Sequence, residues 1–139
     1  MAKQKEQKMH HIGLLILRVG LGISFVLHGL PKISGGSEVW ANIGGAMGVL
    51  GIHVFPTGWG LMAALSEFGG GLLLIMGLVT RYASGAMVFT MCVAASMHLS
   101  KGDNFMVYSH AIEAGVAFLA ICCLGAGKYS VDEKLFKKP

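Results

Sequence analysis

Four apolar runs, at residues 12–30, 59–79, 82–99 and 109–124, decide what this chain can become. Each approaches the roughly 20 residues a helix needs to cross the hydrocarbon core of a bilayer. An isolated apolar segment can satisfy its own backbone there only as a helix. Composition agrees: 54% of the 139 residues are hydrophobic and 13% charged, with mean hydropathy +0.65, whereas soluble domains carry about 25% charged residues. The sequence therefore predicts an all-α polytopic membrane protein, a four-helix transmembrane bundle formed as one domain over residues 1–139. The basic segment KQKEQK before the first run resembles the start of a signal peptide, but the run is long, holds Arg18 and His28, and lacks an A-x-A cleavage pattern after it.

Charge sets the expected orientation. The formal +4 comes from lysines at the two chain ends, a pattern that suits topology and anionic lipid better than nucleic acid, which is not an expected partner. With four spans both termini share a side. That side holds Lys3, Lys5, Lys8, Arg81, Lys128, Lys134, Lys137 and Lys138, against Lys32 and Lys101 opposite. The positive-inside rule then puts both termini in the cytoplasm.

The connections carry their own signals. In GLVTRYAS, Gly77 can end one helix and Thr80 can cap the next, giving a tight hairpin. Residues 31–58 are too long for a turn. There SEVWANIGGAMGVLG spaces Val39, Trp40, Ile43, Ala46, Met47 and Leu50 helically, which predicts a short amphipathic outer helix, with Ser37 as its cap and Trp40 and Trp59 as interfacial anchors; a glycine-weakened loop is the alternative.

Ionisable residues inside spans are rare and tend to be functional. His28, Glu67, His98, His110 and Glu113 all fall in the expected outer half, with Glu67 roughly 12 Å below the surface. Arg18 lies deeper, close enough for its side chain to reach toward Glu67. Each rides a stripe with small or soft residues: Glu67 with Ala63 and Gly71, His28 with Gly20 and Ser24, His98 with Met91 and Ala94, Glu113 with Ala117. The stripes suggest that these side chains face a buried polar pocket. Interhelical glue, worth ~0.6 kcal/mol per hydrogen bond, is the bland alternative. A metal ion on His28, His98, His110 and Glu113 is a third reading by ligand type, although the chain has one His-x-x-Glu in place of the Glu-x-x-His repeats of di-iron bundles. Met62, Met76, Met87, Met91 and Met97 suit packing. Cys92 and the adjacent Cys122 and Cys123 form no C-x-x-C and suit apolar filling.

The segments LRVGLGISFVLHGLPKI, EFGGGLLLIMGLVTRYAS and GAGKYSVDE, in this order and spacing, resemble the DoxX family of small four-helix membrane proteins. The resemblance implies a multi-pass protein of a bacterial or archaeal inner membrane. It places Arg18, His28, Gly29, Lys32, Glu67, Arg81 and Glu113 on the family's polar motif positions, while His98 and His110 lie outside that pattern. It also implies a subunit or accessory of a membrane redox system, an oxidoreductase by association only, with other membrane or redox proteins as partners and a quinone headgroup as occupant of the pocket. In that arrangement Arg18 and Glu67 form the deep ion pair, and His28, Lys32 and Glu113 line the mouth. A metal-handling or small-solute protein and a purely structural scaffold are the competing functions. Oligomerisation is left open.

Overall fold

The computed structural model describes residues 2–136, and among these there are helices and turns and no strand. In order come α1 (Ala2–Ser34), α2 (Gly36–Gly44), a 3-10 segment (Gly45–Leu50), α3 (Pro56–Met76), α4 (Thr80–Ser100), α5 (Phe105–Leu124) and α6 (Val131–Phe136). α1, α3, α4 and α5 are the four helices long and apolar enough to span a membrane. Lys137 and Lys138, counted above for topology, lie outside the described residues.

The first helix is longer than its apolar run. At ~1.5 Å per residue its 33 residues measure about 50 Å, against a hydrocarbon core of about 30 Å. The surplus is the exposed, lysine-rich first turns, which extend beyond the bundle. Pro31 sits in the last turn of α1, where its missing N–H costs a single ladder bond and the helix is about to end.

Buried stripes explain how the helices assemble. On α1 the buried residues are Leu14, Arg18, Gly22, Phe25 and Gly29; on α3 they include Gly60, Ala64, Glu67, Gly71 and Leu74. Steps of three and four keep each set on one face. Where the two stripes cross, a Cβ on Gly22 would stand 2.7 Å from the Gly71 carbonyl oxygen, and one on Gly29 would stand 2.4 Å from the Phe68 nitrogen. Backbone meets backbone there, the close approach that small residues permit in membranes. The centre is filled by Phe25, Leu74, Met87, Met91, Phe118 and Ile121, with the Phe25 and Phe118 rings edge to face at 4.7 Å.

The connection after α1 folds back onto α3, as expected of an amphipathic helix. A Cβ on Gly60 would lie 1.7 Å from the Trp40 carbonyl oxygen, and one on Gly44 1.8 Å from that of Pro56. Two details differ from the sequence reading. Gly35, not Ser37, is the N-cap of α2, without a side-chain cap bond. Trp40 is half-buried and its indole N–H donates to the Lys32 carbonyl at 2.8 Å, so it ties α2 to the end of α1 instead of standing free as an anchor.

The α3–α4 hairpin also departs in part. Gly77 ends α3 in the left-handed conformation at φ +68°, as expected, but Val79, not Thr80, occupies the N-cap of α4. The first amides of α4 are capped from a distance: Val79 and Thr80 N–H donate to the Asp132 carboxylate at 2.6 and 2.9 Å. Thr80 Oγ1 is itself buried and finds no partner among the described residues.

Candidate functional site

The intramembrane polar residues separate into three places. The first is Arg18. It is 1% exposed, and its guanidinium donates to the carbonyls of Leu74 (2.8 Å), Ile75 (3.0 Å), Ala126 (3.1 Å) and Tyr129. Leu74 and Ile75 belong to the last turn of α3, where carbonyls run short of helical donors and the dipole is negative; the Leu74 oxygen also accepts the Gly77 N–H at 3.1 Å. Ala126 and Tyr129 lie on the segment that follows α5. The expected Arg18–Glu67 pair is therefore not formed. Arg18 stands level with the C-terminal turn of α3, about two helical turns from Glu67, and four nearby carbonyls saturate it first.

The second place is a cleft of about 760 Å³ bounded by α2, the 3-10 segment, α3 and α4. Glu67, 3% exposed, lies on its floor. Lys32 reaches it from the end of α1, its ammonium 2.7 and 2.6 Å from the two carboxylate oxygens. The four-carbon stem of lysine makes this possible from a backbone position outside the apolar run. On the wall the Thr90 hydroxyl lies 3.1 Å from the Ser66 hydroxyl and 3.0 Å from the Ala86 carbonyl. At the rim His98 Nδ1 meets Asp103 at 2.7 Å. Met47, Met62, Phe89 and Val93 supply apolar lining. Along α4 the lining runs from Ala86 to Ser100, about 21 Å of helix, and Met62 and Phe89 are 61% and 51% exposed, so the cleft opens toward lipid as well as toward the Lys32 end of the bundle.

The third place is the seam between α1 and α5. His28 and His110 sit with ring centroids 5.3 Å apart, and Phe25 stacks on His110 at 6.2 Å. His28, His110 and Glu113 are all exposed. The expectation that His28, His110 and Glu113 face inward is corrected here. The buried face of α5 is Ala111, Ala114, Phe118 and Ile121, and Glu113 is rotated about 100° from Ala114. Small residues occur on several faces of α5, so the alignment of Glu113 with Ala117 did not mark the interior.

Of the pocket residues expected from sequence, Lys32 and Glu67 come together; Arg18, His28 and Glu113 lie elsewhere. Of the metal candidates, His28 and His110 are neighbours, whereas His98 bonds Asp103 just past the end of α4. Among the described residues no group of three or more His, Cys, Asp or Glu side chains is arranged to hold a metal ion. Ser66, Thr90, Asp103 and Asp132 escaped the sequence reading. For Ser66 a signal was present, since it precedes Glu67 on a membrane helix.

The DoxX family model matches residues 13–100, which covers α1 beyond its polar start through α4. The inner membrane protein YqjF of Escherichia coli is 31% identical over 140 residues, covering 95% of this chain and 98% of that protein. An uncharacterized protein of Haemophilus influenzae is 31% identical over 131 residues, covering 90% and 92%. No solved structure matches the chain. With four apolar helices and an inner-membrane relative, the chain is a multi-pass inner-membrane protein in contact with lipid.

Proposed function

The chain belongs to the DoxX family, and from that premise we propose that it is a subunit or accessory of a quinone-linked redox system whose cleft receives a quinone headgroup over Lys32 and Glu67. The observation that carries this reading is the ion pair on the floor of the cleft, a buried carboxylate held by one lysine inside otherwise apolar walls. Ligand sites have this character: they are concave, mostly apolar, about 300–1,000 Å³, with few convergent polar groups.

The residues suit such a guest. The Lys32 ammonium has three donors, and the carboxylate need not use them all. A quinone carbonyl accepts a hydrogen bond from the remainder, and a quinol hydroxyl has the Ser66 and Thr90 oxygens as acceptors. Glu67 fixes the position of Lys32 and is the nearest group able to take up a proton. The lateral opening beside Met62 and Phe89 suits a lipid-soluble tail. The basic-residue asymmetry supports cytoplasmic termini, and with them a cleft that faces the outer leaflet.

Trp59 lines the cleft and supplies the readout. With Trp40 replaced by Phe, a short-chain quinone should quench Trp59 fluorescence saturably in detergent, and Lys32→Gln should weaken binding at least tenfold. Absence of saturable quenching, or equal affinity in the Lys32→Gln protein, would remove the quinone from the cleft.

A further inference from the structure

The α1–α5 seam presents a chemical problem that the cleft does not solve. Glu113 lies eight residues into α5, about 12 Å from its first residue, on an exposed face, with no hydrogen bond or ion pair among the described residues. One turn before it on the same helix is the exposed imidazole of His110, in ring contact with that of His28. A carboxylate within the apolar run and against lipid is costly. Elsewhere in the bundle the intramembrane ionisable groups are partnered: Arg18 by carbonyls, Glu67 by Lys32, His98 by Asp103. Those at the seam are not.

We propose that this face is covered by a second copy of the chain, with Glu113 of each copy placed against the His28–His110 pair of the other. Three features point to a copy of itself. The surface carries both a hydrogen-bond acceptor and the donors that match it, so it is self-complementary, as a two-fold interface requires. Two copies inserted in the same direction are related by an axis along the membrane normal, so residues at one depth meet residues at the same depth. Finally, Glu113 lies only three residues, about 4.5 Å of helix, beyond His110, a gap the longer Glu side chain can close, and the ring contact at 5.3 Å holds His28 at the level of His110. Within one chain the two histidines contact each other and Phe25 through their rings, and their nitrogens make no hydrogen bond among the described residues. This interface lies on α1 and α5 and shares no residue with the cleft.

The test is single-molecule photobleaching of the labelled chain in liposomes over a series of protein-to-lipid ratios. The wild-type chain should show two-step bleaching that dissociates on dilution into more lipid. Glu113→Leu should weaken association at least tenfold without lowering thermal stability, since a leucine faces lipid at no cost, and Lys32→Gln should leave association unchanged even where it abolishes quinone binding. If Glu113→Leu fails to fold, the double change His28→Leu, His110→Leu must give the same loss of dimer. A wild-type chain that is monomeric at every ratio overturns the proposal, as does a dimer that persists in the Glu113 or histidine variants.

Discussion

At the residue scale Arg18 and Lys32 behave differently. Arg18 has several donors in a rigid planar fork and spends them on backbone oxygens of two different segments; Lys32 is a point charge on a flexible stem and meets one carboxylate. Replacement of Arg18 by leucine removes a donor from four carbonyls, of which Leu74 keeps the Gly77 N–H, so we expect a loss of about 3 kcal/mol, given ~1–3 kcal/mol for each unsatisfied buried group. Arg18→Lys should recover only part of it, because one ammonium cannot span carbonyls on α3 and on the segment after α5. Thermal denaturation in detergent measures both. For the cleft pair, Glu67→Gln should cost less than the ~3–5 kcal/mol of a fully buried broken pair, because the Lys32 side chain remains 34% exposed and is partly screened. The double change Lys32→Met, Glu67→Leu should regain stability relative to either single change. Strict additivity of the two would mean that the ion pair contributes nothing beyond its separate groups.

At the element scale, glycine contacts and remote caps hold the helices in register. Gly60→Ala must move α2 away from α3, since the new methyl would overlap the Trp40 carbonyl. A loss of about 3 kcal/mol, at the upper end of overpacking costs, is expected, together with loss of the proposed quinone binding in the cleft that α2 borders. Gly20 has open space at its Cβ position, so Gly20→Ala should be neutral or stabilise by roughly 0.5–1 kcal/mol. A stability screen of the two variants separates close approach from mere flexibility. At the other end of the bundle, Asp132 caps α4 and its own N–H donates to the Gly77 carbonyl at 2.9 Å. Asp132→Ala should cost about 0.5–2 kcal/mol, the usual range for a lost N-cap, and should raise amide exchange at Val79 and Thr80 before it affects the middle of α4.

At the scale of the whole molecule, one end of the bundle is latched and the other is open. The chain after α5 is pinned to α1 by Arg18 and to the α3–α4 hairpin by Asp132, while the Lys32 end holds the cleft and the His28–His110 seam. If the basic-residue count sets topology, a reporter at residue 81 should be accessible only from the cytoplasm and tags near residues 37 and 101 only from outside. The reverse pattern would turn the cleft toward the cytoplasm.

Residue order alone determined the solvent, the number of spans, the existence of a short outer helix and the family, because hydropathy over about 20 residues and the spacing of small residues act locally, whatever the partner helices do; that the outer helix folds back onto α3 was decided by packing. It also identified Lys32 and Glu67 as polar motif positions. Which polar groups meet was decided by tertiary structure. Arg18 is level with Glu67 only within the slack of two long side chains, and the nearer acceptors, the end carbonyls of α3 and those of the segment after α5, carry no mark in the amino-acid sequence. Glu113 likewise sits on a helix with alanine or glycine on several faces, so periodicity left its direction undetermined until α1 and α4 had claimed the packing face of α5. A backbone carbonyl or a helix face becomes a partner only through the fold, and this places Arg18 in a latch, Glu67 in a cleft and Glu113 on the outside.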